Sequence, residues 1–480
     1  VSEDWVDDAP LFAAWRRFVH ADVAPFTIPG HKRRGADLHP DLGRLLDADV
    51  PLYGGADTPK LTAGVLREAE HRAAELWGAD RCRFSTGGST QANQIVCLSL
   101  GSPGDEVLVG RNAHRSVLSG LVLAGLVPVW LPVEVHPGTG APLGVTAATV
   151  RAALVEHPRA VAVIVTEPSY QGTIGDVAGV VRVAHEHGVP VVVDQAWGAH
   201  LGMAPGMPPH ALQLGADALV TSAHKMLPAY SQAALVAVKG ARLDVDRVDR
   251  AVAALETTSP TSSVLASIDA ARAFLASGAG RAAIGRTAAL VAMARERLGR
   301  LGLLVPGAET YGEGRVDPLK LVVHLAAAGR DGLAIEHALL ERGMPVEMAD
   351  RDAIVAQVGL LDDEVTVGRL LEGIEAAVAG PAGPAREAVP GAGASIPPQR
   401  MTPRAAYFAG YDVVALDDAV GRVSAEVVAP YPPGVPLLVP GEEVTADTIA
   451  ALHLAVTAGT RIAYAADPGL ATLHVVRGDG

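Results

Sequence analysis

Two apolar runs, Pro190-Val-Val-Val193 and Ala218-Leu-Val-Thr221, each end in a reactive group: Asp194 directly after the first, and Ser222-Ala-His-Lys225 directly after the second. Runs this short, rich in Val and Leu and without polar alternation, predict strands buried on both faces, as in a parallel sheet covered by helices. The same type of run recurs upstream as Val107-Leu-Val109, Val127-Pro-Val-Trp-Leu131 and Ala162-Val-Ile-Val-Thr166, with helical stretches at 146–155 and 177–187 between the later ones. From about residue 61 to 238 the chain therefore alternates strand and helix, which predicts an α/β architecture with a mainly parallel sheet. In such sheets ligands sit at the carboxyl ends of the strands. Asp194 and Lys225 fall there.

Outward from this core the character changes. Past Arg242 the pattern is helix-rich, clearest at 270–276 and 288–301, and a shorter α/β segment follows at 319–376. The stretch 380–398 is Gly-, Pro- and Ala-rich without periodicity, the composition of a linker. The expected division is an N-terminal arm (1–30), a large domain (31–250), a small α/β subdomain (251–378), a linker (379–400) and a small α+β C-terminal domain (401–480).

The chain has 480 residues and 49% hydrophobic residues but only 4% aromatics, so its core is built from Ala, Val and Leu. A formal net charge of −14 without a Lys/Arg block argues against nucleic acid or an anionic membrane as partner. Cys82 and Cys97, its only cysteines, are too few for a disulfide framework and point to a reducing, cytoplasmic setting. The apolar runs are too short to span a bilayer, and the acidic start lacks the pattern of a signal peptide. His185 and His187 lack the Cys/Asp cluster a metal site requires, so no metal is expected.

Lys225 is the strongest chemical signal. A lysine beside apolar walls has a lowered pKa and can form a Schiff base with an aldehyde cofactor. The alternative is an ordinary lysine at the start of a loop. Asp194, 31 residues upstream, bears on the choice, because pyridoxal phosphate (PLP) needs an anion against its pyridine nitrogen to act as an electron sink. Taken singly, Asp194 can also be a turn cap. A third signal, Ser85-Thr-Gly-Gly-Ser-Thr90, precedes a helical stretch at 91–98. Glycines admit a phosphate to the backbone, the helix start offers free N–H groups, and Ser89 and Thr90 add hydroxyls. It is neither a Walker A loop nor a full dinucleotide fingerprint. His114, in Arg111-Asn-Ala-His114, can stack on a flat cofactor.

In this order the motifs resemble the Orn/Lys/Arg decarboxylases, fold-type-I PLP enzymes acting on basic amino acids. The likeness includes Ile28-Pro-Gly-His-Lys32, Pro51-Leu-Tyr-Gly-Gly-Ala-Asp57, Glu167-Pro-Ser-Tyr170, Thr257-Thr-Ser-Pro260 with Ala266-Ser-Ile-Asp269, and Pro430-Tyr-Pro-Pro-Gly-Val-Pro436 with Pro440-Gly-Glu442. The resemblance implies that Lys225 carries the cofactor, Asp194 pairs with the pyridine nitrogen and His114 stacks on the ring face away from Lys225. It implies that Ser89, Thr90, Ser222 and His224 hold the phosphate and that Trp197 lies at the cofactor. Thr258 then approaches the neighbouring subunit's cofactor, implying a homodimer or larger assembly, and Glu442 lies near the substrate's distal cationic group. About 25 residues precede the Pro-Gly-His-Lys segment, as in the short subgroup without an N-terminal wing domain, so no wing-mediated decamer is expected. The chain departs from the short members' Asp-Glu-Ala-His pattern at Gln195 and Trp197, which bears on substrate and outcome.

The expected reaction is α-decarboxylation of a basic L-amino acid, arginine first with lysine and ornithine next, placing the chain in polyamine metabolism. Two rivals stay open: another fold-type-I reaction (transamination, elimination or oxidation), since the cofactor carries the hard chemistry, and a non-catalytic PLP-binding relative.

Overall fold

The computed structural model describes residues 5–51, 64–387, 396–430 and 434–478. Residues 52–57, 388–395 and 431–433, which belong to the Gly-Gly-Ala-Asp segment, the expected linker and the Pro-rich signature, lie outside them.

The helices that frame the sites are α1 (Pro10–His20), α2 (Gly88–Leu100), α3 (Arg115–Ala124), α4 (Ala223–Met226), α5 (Ser262–Ala276), α6 (Pro403–Phe408) and α7 (Ala446–Thr457). The strands are β1 (Arg81–Ser85), β2 (Glu106–Gly110), β3 (Val127–Leu131), β4 (Val163–Thr166), β5 (Val191–Asp194), β6 (Ala218–Ser222), β7 (Ala234–Val238), β8 (Lys320–His324), β9 (Met348–Ala349), β10 (Ala353–Gln357), β11 (Tyr411–Ala415) and β12 (Thr472–Val476). They belong to two compact units, Val1–Ser99 with Gln195–Gly285, and Leu100–Asp194 with Arg286–Gly480.

In the first unit β1 and β6 both pair antiparallel with β7. Every residue of β6 and β7 is buried, as the unbroken apolar runs require. The reversed strand β7 has the same all-apolar composition as its neighbours, so composition reveals its burial but not its direction. The N-terminal arm is tied down by α5: the carboxylate of Asp269, fully buried, accepts from the N–H groups of Leu11 (2.8 Å) and Phe12 (3.2 Å). Those are donors that the first turn of α1 leaves unpaired, so Asp269 caps that helix from a distance.

In the second unit β5, β4, β2 and β3 lie side by side, all parallel. Thr166 and Asp194 are opposite each other at the carboxyl ends of β4 and β5. Helix α3 connects β2 to β3. It starts at an extended His114 and stops at Gly125, whose φ of 71° is the left-handed conformation a helix end favours in glycine. Strands β8, β10 and β9 form an antiparallel sheet over a core that includes Val291, Leu298, Leu321, Ile354 and Leu371. Strands β11 and β12 pair beside α7 on a separate core of Leu416, Val428, Leu438, Leu452 and Leu473. Among the described residues no helix is long and apolar enough to cross a membrane.

Candidate active site

In the first unit, Ser85 at the end of β1 and Ser222 at the end of β6 are both in register with Ala234 of β7. Strands β1 and β6 run the same way, so the Gly-rich loop and the Lys225 turn leave the sheet at one edge. Two inter-strand spacings, roughly 10 Å, separate their exits. Both also rest on the same short segment. The N–H of Gly88 donates to Gln232 O (2.8 Å), and the N–H of His224 donates to Ala233 O (3.3 Å). The His224 ring adds Nδ1 at 2.8 Å from Ala233 O, which can only accept, so Nδ1 carries a proton.

The Gly-rich loop is braced from beneath. Ser85 Oγ lies 2.6 Å from Gln91 Oε1, Gly87 N–H reaches the same oxygen at 3.1 Å, and Gln91 Nε2 donates to Leu255 O (2.8 Å). Thr86 Oγ1 donates to Glu256 Oε1 (2.6 Å), whose carboxyl is raised above its ordinary range by burial. Ser89 and Thr90 occupy the first turn of α2, where backbone N–H groups are free of helical partners. Ser222 Oγ is fully buried and has no hydrogen-bond partner among the described residues. A buried hydroxyl and a helix start presented at one sheet edge are what a phosphate group would satisfy. Thr258 follows Leu255 and Glu256 and is exposed.

Lys225 sits on α4, a single turn, with Nζ 4.4 Å from the centroid of the Trp197 ring. This is cation–π range, and it places the buried indole at the lysine amine. Trp197 is held there because residues 195–196 run along β6: Gln195 N–H donates to Val220 O (2.8 Å), Ser222 N–H to Ala196 O (3.3 Å) and Thr221 Oγ1 to Gln195 O (2.9 Å). The Gln195 side chain is buried and used at both ends, Nε2 donating to Gly198 O and Oε1 accepting from Ala211 N–H, each at 2.8 Å.

In the second unit, Asp194 is buried at the end of β5, and its carbonyl accepts from Glu167 N–H (3.0 Å). His114 caps α3. Its Nδ1 accepts from Ser116 N–H (3.2 Å) and lies 2.8 Å from Ser116 Oγ, which puts the ring proton of the neutral form on Nε2. The loop before it reaches β4 through Asn112 Nδ2 and Thr166 O at 3.5 Å.

Glu442, expected near a substrate's cationic end, meets a cation of the protein's own. Its carboxylate faces the Arg111 guanidinium through two contacts, at 2.8 and 2.9 Å, with side-chain exposures of 0% and 1%. Val439 N–H donates to the same carboxylate (2.9 Å). Burial nonetheless raises the Glu442 carboxyl above its ordinary range, against the pull of Arg111. No local motif announces Arg111 or Glu256, whose partners lie 331 and 170 residues away, and the Leu255 carbonyl that fixes Gln91 beneath the loop lies 164 residues away.

A buried hydroxyl beside a helix start, an amine just past a strand end and a buried carboxylate at a strand end of an α/β protein are the parts that a fold-type-I pyridoxal phosphate enzyme uses. Residues 9–310 match the Orn/Lys/Arg decarboxylase major domain and residues 388–463 its C-terminal domain. The chain belongs to this family, whose members decarboxylate basic amino acids with pyridoxal phosphate. Among its relatives are an arginine decarboxylase of Bacillus subtilis, 31% identical over 98% of this chain and 97% of that one, and one of Halalkalibacterium halodurans, 33% identical over 98% of each. A lysine decarboxylase of Pseudomonas aeruginosa is 26% identical over 85% of this chain and 67% of its own length. The fold is shared with the solved lysine decarboxylase of Francisella novicida, at a TM-score of 0.81 and 18% identity, covering 98% of this chain and 81% of that one. A serine palmitoyltransferase of Sphingomonas wittichii shares it more loosely, at a TM-score of 0.55 and 16% identity over 78% and 84%.

Proposed function

We propose that the protein decarboxylates L-arginine, releasing CO2 and adding a proton at Cα to give agmatine. The observation that carries arginine over the other basic amino acids is the end-to-end similarity to arginine decarboxylases, 31–33% over 98% of the chain, against 26% over 85% for a lysine decarboxylase. When bound, pyridoxal phosphate supplies the electron sink that accepts the pair left as the Cα–carboxylate bond breaks.

The chain's own residues do the rest. Lys225 would hold the cofactor through its amine. The Asp194 carboxylate keeps the pyridine nitrogen protonated, a role suited to an acid buried at a strand end. His114 would stack on the cofactor ring, and Trp197 packs at the lysine amine. Ser89, Thr90, Ser222 and His224 hold the phosphate. Thr258, exposed in the single chain, reaches the neighbouring subunit's phosphate, so the working unit is a homodimer or larger. The setting is the cytoplasm, where the buried thiols of Cys82 and Cys97 stay reduced.

The test is to incubate the PLP-loaded protein with L-arginine, L-lysine and L-ornithine in turn and to quantify CO2 and amine. Agmatine formed with the highest kcat/KM is the expected result. Faster turnover of lysine or ornithine overturns the arginine assignment. A keto acid or peroxide in place of CO2 overturns decarboxylation itself.

A further inference from the structure

We infer that the C-terminal domain splints helix α3, and that Glu442 is a positioning residue for His114 acting through Arg111. This rests on the reading of His114 as the residue covering the cofactor ring.

His114 has no freedom of its own relative to α3. It is the helix's N-cap, its ring nitrogen bonded to the Ser116 N–H, so any slide or tilt of the helix carries the imidazole with it. The helix is ten residues long, too short to hold its geometry without tertiary support. That support comes from residues 401–480 at both ends. At the start, Arg115 N–H donates to Gly434 O (3.2 Å), and the Arg115 guanidinium lies 3.8 Å from the Tyr464 ring centroid. One turn earlier, Arg111 is fixed by the Glu442 carboxylate, by Leu437 O (3.1 Å) and by the Trp130 ring, 5.0 Å from its centroid. At the far end, Arg404 Nη1 donates to Val122 O (2.7 Å) and Leu123 O (3.1 Å), carbonyls that the last turn leaves unpaired.

The chemistry of the Arg111–Glu442 pair argues for position over affinity. A fully buried ion pair contributes little net stability compared with apolar residues of similar volume, but its charge-assisted hydrogen bond from Arg111 Nη2, with Nη1 in ionic contact beside it, ties the two backbones to one relative placement. Arg111 Nη2 and Val439 N–H both donate to one oxygen of Glu442, and Arg111 Nη1 lies 2.8 Å from the other as an ionic contact without hydrogen-bond geometry, so the carboxylate faces a cation of the protein's own.

Two variants separate positioning from substrate contact. Glu442→Gln keeps the shape and removes the charge, while Arg404→Met uncaps the opposite end of α3 from an exposed site. Amide hydrogen exchange across residues 115–124, read in the protein with and without PLP, is expected to speed up by about tenfold in each variant. With arginine as substrate, kcat is expected to fall while KM stays within about twofold, as for loss of an interaction not made with the ground-state substrate. Unchanged exchange in Arg404→Met, or a rise in the KM for arginine with kcat intact in Glu442→Gln, overturns the inference. Should Glu442→Gln fail to fold, Glu442→Asp, which keeps the charge and shortens its reach to Arg111, takes its place with the same two readouts and the same overturning results. His114→Ala tests the reading underneath: if the cofactor's absorption and kcat do not change, His114 does not cover the ring, whatever the exchange data say of the splint.

Discussion

Gln195 is a residue whose chemistry only the folded chain explains. Its side chain must donate to Gly198 O and accept from Ala211 N–H at once, from a position only 2% exposed. A carboxylate can do the second and not the first, so an acid here leaves the Gly198 carbonyl unanswered and adds a buried charge. Gln195→Glu is therefore expected to cost about 1–3 kcal/mol, the range for an orphaned buried polar group. Thermal unfolding of the cofactor-free protein reads it, and an unchanged midpoint would sink the argument. In the sequence Gln195 stands out only as a departure from the family's pattern. Lys225 and Asp194 are different, because a charged group at the end of an all-apolar run is conspicuous without any knowledge of its partners. Glu442 is conspicuous too, inside its Pro-Gly-Glu motif, but the motif is silent on Arg111, 331 residues away.

At the scale of elements, periodicity and composition locate strands well and orient them poorly. The runs at 107–109, 127–131, 162–166, 190–193 and 218–221 fall on β2 to β6 within a residue or two, because burial on both faces demands Val, Ile and Leu throughout. The direction of β7 depends on the connection that delivers it, which composition does not record. Helix ends are more legible where glycine must take a left-handed conformation. Gly78 (φ 61°) and Gly125 (φ 71°) both close helices, but their surroundings differ. A Cβ on Gly78 meets nothing within 4 Å, whereas one on Gly125 sits 3.0 Å from Pro103 Cβ and 3.5 Å from Arg404 Cδ. Gly78→Ala should cost only the backbone strain, about 1 kcal/mol. Gly125→Ala should cost more, because crowding is added at the end of α3 that Arg404 caps. Urea unfolding of the two variants makes the comparison, and equal losses would show that the Pro103 contact gives way freely.

For the whole molecule, buried acids set how stability varies with pH. Burial pushes Glu167 up to about 8, with the Gly175 N–H and the Arg315 charge opposing it. There is little room around it for a counter-ion or water: a Cβ on Gly144 or Gly175 would lie 2.1 or 2.2 Å from Glu167 Oε1, which is why both positions are glycine. Glu70 is pushed to about 7 by burial, against Arg83. Both are mainly protonated in the folded chain at pH 6.5, Glu167 more completely than Glu70, and ionised once unfolded, so the folded state binds more protons and stability falls as pH rises. The loss begins near the ordinary value of 4.5 and ends near 7 for Glu70 and 8 for Glu167. His210 and His324 act in the opposite sense. Burial lowers both to about 4, so their contribution is complete above the ordinary value of 6.5 and diminishes only as pH falls below it. Between pH 6.5 and 8 the histidines gain only the small remainder left as their unfolded forms lose the last protons, and the two glutamates dominate among these four. The cofactor-free protein is expected to lose thermal stability across that interval. Glu167→Gln, which fixes the neutral form, should remove the larger share of the loss, since Glu167 titrates through the whole interval and Glu70 through only its lower part. Calorimetry at pH 6.5, 7 and 8 tests this, and an equal fall in wild type and Glu167→Gln would mean that Glu167 is already ionised in the folded protein.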